Sequence, residues 1–137
     1  MVLVDTSVWS LLFRRNGPAA EPEVEALQRF LGGDELVAIT GIIAQELFYG
    51  LAASKAADAV ERTLHTLQYI TPTLDDHISA ARLQRVLRHA GVQVSGADAL
   101  IAELAIAHEL TLLTTDRDFV HAARHVPLQL WTREGSG

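Results

Sequence analysis

Val2-Leu3-Val4-Asp5-Thr6-Ser7-Val8-Trp9 opens the chain with three apolar residues, an acid, two hydroxyls and a new apolar pair. A short unbroken apolar run reads as a strand buried on both faces, because successive side chains of a strand point to opposite sides. Asp5 ends the run, and Thr6-Ser7 can open a helix covering Val8 to Arg15. Arg14 and Arg15 then fall in the last turn, where the helix dipole favours cations, and Asn16-Gly17-Pro18 stops it. The pattern recurs along the chain. Leu36-Val37-Ala38-Ile39 is a second buried run, with Thr40 capping a helix from Gly41 to Ala52. Gln68-Tyr69-Ile70, Thr111-Leu112-Leu113-Thr114 and Leu128-Gln129-Leu130-Trp131 complete the candidate strands. The remaining helices run from Glu21-Pro22-Glu23 to Gly32-Gly33, from Ser54 to Leu67, and from the capping box Thr73-Leu74-Asp75-Asp76 to Gly91. Ser95-Gly96-Ala97-Asp98 is a further box opening a helix to Glu109, and a short helix follows Asp118. Strands alternating with helices predict a three-layer α/β/α sandwich around a central, mostly parallel sheet of four to five strands. Residues 1–137 read as one domain. In such sheets ligands bind outside the carboxyl ends of the strands, where the strand order reverses.

Composition bounds the chemistry. The 137 residues contain no cysteine, which removes disulfides, thiol nucleophiles, Cys-ligated zinc and iron–sulfur clusters together. No apolar run reaches the length of a membrane span, and Met1-Val2-Leu3-Val4-Asp5 lacks the flank and apolar stretch of a signal peptide. The expectation is a cytoplasmic domain without membrane contact. Seventeen acids against 11 bases leave a net charge of −6, which argues against nucleic acid as long as the acids are spread over the surface.

They are not spread evenly. Asp5 and Asp116 each follow an apolar strand, so both are expected at one edge of the sheet; either can equally be a helix N-cap or turn residue. On a helical wheel Glu46 falls between Ile42 and Ile43, on the apolar arc shared with Leu47 and Leu51. A carboxylate on a buried face needs a cation or an Arg partner. Asp98 sits where a capping box wants an acid, and a metal-ligand role there is compatible with the cap. If the four converge, their mutual repulsion makes a hard cation with oxygen ligands, Mg²⁺ or Mn²⁺, the natural occupant. Such an ion can activate water for phosphodiester hydrolysis.

These blocks resemble those of the PIN-domain family. The opening stretch through Trp9, Gln45-Glu46-Leu47-Phe48-Tyr49-Gly50, Ser95-Gly96-Ala97-Asp98-Ala99-Leu100-Ile101-Ala102 and Leu112-Leu113-Thr114-Thr115-Asp116-Arg117-Asp118-Phe119 occur in family order. A stand-alone PIN domain of this size is similar to the VapC-type toxins of toxin–antitoxin pairs. The resemblance implies a Mg²⁺- or Mn²⁺-dependent endoribonuclease leaving 5′-phosphate and 3′-hydroxyl ends. It implies Asp5 and Asp98 as principal metal ligands, with Glu46 and Asp116 completing the catalytic site directly or through water. Thr6, Ser7 and Thr114 are then candidates to orient these carboxylates by hydrogen bonds. Asp118 is expected to cap the short helix beginning at Phe119, with a supporting metal role open to it. The implied partners are an RNA substrate, a VapB-type antitoxin whose C-terminal segment blocks the groove, and a second copy in a homodimer.

Arg14 and Arg15, close to the site in sequence, are candidate contacts for RNA or antitoxin; Arg117 can touch a phosphate or pair with the acids beside it. Arg82, Arg85, Arg88 and His89 read first as a solvated helix face, and His121 with His125 as surface histidines. Trp9, Phe13 and Phe48 read as core. Two other functions compete. A haloacid-dehalogenase-type phosphohydrolase also puts an Asp after its first strand, yet needs an Asp where Ser7 stands and a Lys, of which Lys55 is the sole example. A non-catalytic PIN-like binding module is expected to lose the acids, and all four are present. Ten of the 11 basic residues are Arg, which suits bidentate phosphate contacts, so gathering four acids at one metal site removes the objection from net charge.

Overall fold

The computed structural model describes residues 1–14, 21–51 and 55–133. In chain order the elements are β1 (Val2–Val4), α1 (Thr6–Leu12), α2 (Pro22–Leu31), β2 (Val37–Thr40), α3 (Gly41–Gly50) and α4 (Lys55–Leu64). They continue with β3 (Gln68–Ile70), α5 (Leu74–His89), α6 (Gly96–Ala107), β4 (Thr111–Leu113), α7 (Arg117–Ala122) and β5 (Gln129–Leu130). The five strands form one sheet of order β3-β2-β1-β4-β5, and every neighbouring pair is parallel. Consecutive buried residues in β1 and β2 mean that both faces of the sheet centre are covered by helices. The edge strand β3 carries exposed residues, which explains its weaker signal in the sequence.

The order decides where a site can form. The chain lays down β1, β2 and β3 in one direction, then returns to the other side of β1 with β4. The reversal opens a crevice between the carboxyl ends of β1 and β4, where the register pairs Val4 with Leu113. Asp5 follows the first of these residues directly, and Thr114 the second.

Beneath the edge, Leu3, Val8, Trp9, Ile43, Ile101, Leu112, Leu113 and Phe119 are fully or almost fully buried and hold the strand ends against α1, α3, α6 and α7. Trp9 stacks on Phe13 with ring centroids 5.9 Å apart, and Phe48 packs against the same core, as expected. At α5 both bonds of the capping box form: Asp76 N–H donates to Thr73 Oγ1 at 3.1 Å and Thr73 N–H to Asp76 Oδ2 at 2.8 Å. Gly91 ends that helix at φ +84°, a conformation open to glycine, while Val92 N–H closes on Leu87 O at 2.8 Å.

Three expectations change. Helix α1 begins at Thr6 and ends at Leu12, so exposed Arg14 lies just beyond it and not in its last turn. The start comes earlier than the apolar pattern indicates because Asp5 already occupies the N-cap position, and Phe13 closes the helix as its C-cap. Arg15 and the cap assigned to Ser54 lie outside the described residues. Helix α7 starts at Arg117, capped by Asp116 and not by Asp118: Asp118 N–H donates to Asp116 Oδ1 at 2.9 Å. Glu46 is exposed, not buried on the apolar arc.

Candidate metal centre

Asp5 is 5% exposed, yet its side chain does not cap α1. Two hydroxyls converge on one of its oxygens instead. Ser7 Oγ donates to Asp5 Oδ2 at 2.8 Å and Thr114 Oγ1 donates to the same atom at 2.9 Å. Each hydroxyl in turn accepts a backbone N–H from the turn after β4, Thr115 to Ser7 at 3.1 Å and Asp116 to Thr114 at 3.0 Å. The carboxylate at the end of β1 is thus tied through two hydroxyls to the loop that carries Asp116. Such bonds fix which way a carboxylate points, and Oδ1 accepts no hydrogen bond among the described residues.

Asp98 enters from the first turn of α6. Its N–H donates to Ser95 Oγ at 3.0 Å, which is half of a capping box. The reciprocal bond, from Ser95 N–H to the Asp98 carboxylate, is not made among the described residues, so the cap leaves that carboxylate available. Burial, followed by the charges of Asp5, Asp116 and Glu46, pushes the Asp98 carboxyl up from 3.8 to about 6, while the Ser95 hydrogen bond opposes the rise. Asp5, Asp116 and Glu46 are thus near enough for their charges to act on Asp98. Carboxylate oxygens of Asp98, Asp116 and Asp118 lie within 4.8 Å of one another. Asp116 is half-buried and Asp118 exposed.

Glu46 stands on α3 at the outer side of this group. Thr6 Oγ1 donates to its Oε1 at 3.2 Å, joining the first turn of α1 to α3. An Arg partner, the alternative suggested by its place on the wheel, is absent among the described residues. Exposed Arg117 likewise makes no ion pair among them, although acids flank it on both sides. Thr6, Ser7 and Thr114 all contact a site acid. The closeness of Asp118 to Asp98 and Asp116 was masked in the sequence by its place in a helix start. The spacing Asp116-x-Asp118 was the visible signal, because a cap residue and the second helical residue can share one side of the turn.

The donor set is oxygen throughout, with half-buried carboxylates whose repulsion a cation would relieve. It suits a hard divalent ion and not zinc, which favours nitrogen and sulfur.

A parallel sheet with a carboxylate cluster at its switch point defines the class, and the chain belongs to the PIN-domain family, whose model matches residues 2–125. It is 35% identical over 134 residues to VapC ribonuclease Mb1587 of Mycobacterium bovis and to Ribonuclease VapC11 of Mycobacterium tuberculosis, spanning 94% of this chain and 96% of each relative. Among solved structures, FitAcB from Neisseria gonorrhoeae superposes with a TM-score of 0.72 at 23% identity, covering 98% of this chain and 99% of that one. VapBC2 from Rickettsia felis, bound to a DNA fragment from their promoter, has a TM-score of 0.70 at 22% identity, covering 96% and 100%. These two likenesses are of fold. Among the described residues no helix is long and apolar enough to cross a membrane.

Proposed function

We propose that this chain is an endoribonuclease, the toxin of a toxin–antitoxin pair, in which Asp5, Glu46, Asp98 and Asp116 hold Mg²⁺ or Mn²⁺. The observation that carries the reading is the gathering of carboxylates at the sheet's switch point: oxygens of Asp98, Asp116 and Asp118 lie within 4.8 Å of one another, and Asp5 is tied through Ser7 and Thr114 to the loop that carries Asp116. A bound divalent ion supplies Lewis-acid activation of water and charge neutralisation at the scissile phosphate. The side chains do the rest. Ser7 and Thr114 orient Asp5 from one side, Thr6 steadies Glu46, and Asp116 serves the site while its Oδ1 caps α7. Asp118 supports the cluster from the first turn of α7. Exposed Arg14 and Arg117 provide cations close to the acids in sequence for phosphate or antitoxin.

The 35% identity to proteins named as VapC ribonucleases supports the reaction. The fold neighbour from Klebsiella pneumoniae, titled a toxin–antitoxin complex, supports an antitoxin as partner. The chain acts as a homodimer in the cytoplasm in this reading. A non-catalytic module is disfavoured because the acids are kept and their orienting hydroxyls with them. The test is cleavage of an end-labelled RNA panel with Mg²⁺, Mn²⁺ or EDTA by wild type, Asp5→Asn and Asp98→Asn. Cleavage should need the metal and fall by orders of magnitude in both variants. Cutting that ignores chelator and substitutions would sink the mechanism.

A further inference from the structure

Beside the acids, along the same carboxyl edge, lies a groove of about 640 Å³ with a different chemistry. Its walls are the end of β2 and start of α3 (Thr40, Gly41, Gln45), Tyr69 of β3, and His77 and Gln84 of α5. Ala80 and Leu100, both buried, lie in its lining, and the first turn of α6, which holds Asp98, completes it. No Asp, Glu, Lys or Arg lines it. A groove without formal charge, next to a site that handles phosphates, is suited to a neutral part of the same substrate. A separate cleft contains Asp118, His121, Arg124 and His125.

Tyr69 gives the groove an aromatic wall. The residue is 62% exposed, so its ring is open to a ligand, and a methyl group built on Gly41 would lie 2.8 Å from its hydroxyl. Glycine at 41 is therefore what lets the Tyr69 hydroxyl rest against the start of α3. Gln84 is held by a bond from its Nε2 to Val94 O at 3.0 Å, which leaves its Oε1 as an acceptor. Gln45 adds a side-chain amide on the opposite wall, exposed and one residue before Glu46. An aromatic face with amide groups around an apolar floor is the equipment that receives an unstacked base, by stacking and by hydrogen bonds to its edge.

We propose that this groove is a base-recognition subsite, which takes one unpaired RNA base flanking the scissile phosphate, with Tyr69 as stacking platform and Gln45 and Gln84 reading the base edge. The proposal rests on the ribonuclease reading and adds the origin of its sequence preference. Two experiments test it. In the first, wild type, Tyr69→Ala, Tyr69→Phe, Gln45→Ala and Gly41→Ala cut a pool of randomised single-stranded RNA, and the ends are sequenced. Tyr69→Ala should raise KM roughly tenfold and flatten the preference at one position beside the cut. Tyr69→Phe should restore both, and Gly41→Ala, whose methyl crowds the Tyr69 hydroxyl, should move both in the same direction by less. Gln45→Ala should alter which base is preferred. A rise in melting temperature on adding Mg²⁺, expected of a chain with the acids intact, should be found in every groove variant, separating this effect from damage to the acids.

In the second, 4-thiouridine-labelled oligonucleotides are photo-crosslinked to the Asp98→Asn chain and the attached peptide is identified by mass spectrometry. Attachment within residues 68–84 or 40–45, lost in Tyr69→Ala, supports the subsite even if wild type proves not to cut RNA. Cross-links mapping only to other surfaces overturn it. So do an unchanged base preference and KM in Tyr69→Ala and Gly41→Ala. If those variants keep the RNA profile but escape inhibition by a cognate antitoxin, the groove belongs to a peptide and the proposal falls.

Discussion

Asp98→Asn should stabilise the metal-free protein while destroying its site. In the folded chain the carboxyl titrates near 6, against an ordinary value of 3.8, because burial and then Asp5, Asp116 and Glu46 disfavour its charge. The unfolded chain loses that proton around its ordinary value, whereas the folded chain keeps it to about 6. Below 3.8 both states are protonated and nothing is lost; between 3.8 and 6 the penalty on the folded state grows, and above 6 it is complete. At full weight the shift corresponds to about 3 kcal/mol. The side chain is only half-buried, and solvent screening reduces this to about 1–1.5 kcal/mol. Asparagine keeps the shape and the N–H bond to Ser95 Oγ while removing the charge. Thermal melts in EDTA at pH 7.5 should therefore place Asp98→Asn above wild type by roughly 3–5 °C. At pH 4.5 the gap should shrink. Addition of millimolar Mg²⁺ or Mn²⁺ should reverse the order, since wild type gains binding free energy and the variant gains little. A variant less stable than wild type in EDTA at pH 7.5, or a difference independent of pH, would refute the reasoning that repulsion and burial set the state of this carboxylate.

Two further outcomes follow from individual bonds. Thr114→Val removes the donor to Asp5 Oδ2 and the acceptor for Asp116 N–H while keeping a β-branched shape, and should lower kcat roughly 10- to 100-fold with a smaller change in KM; this is read from steady-state cleavage of a labelled RNA. Thr73→Ala deletes the cap of α5 and should cost about 1 kcal/mol in denaturant unfolding, with the base preference of cleavage unchanged.

Several parts of this architecture were legible because their signals are local. The apolar runs at Val2–Val4 and Leu36–Ile39 and the Thr73 box depend on residues within one turn or one strand; the first strand and the box appear where expected, and the second strand is shifted by one residue to Val37–Thr40. The errors were local as well. A wheel drawn for α3 gives Glu46 the burial of its apolar neighbours, but burial depends on what covers each residue, and Glu46 is exposed at the crevice, where Thr6 reaches it. Periodicity also started α1 too late and gave the cap of α7 to Asp118, because it marks apolar positions and not the first turn that a strand-end acid sets up.

By itself the sequence determined that strands alternate with helices and that acids follow two of the strands, since both are matters of near-neighbour chemistry. It also carried the blocks whose resemblance to the family implies Asp5, Glu46, Asp98 and Asp116 as the site acids. Only the tertiary structure decided that β4 pairs with β1, which brings Thr114 to Asp5 across 109 positions and groups Asp98 with Asp116 and Asp118. It also placed an uncharged groove with Tyr69 beside them. Strand order and the covering of a helix face arise from the burial of the whole apolar surface at once. No local window of the chain contains that sum.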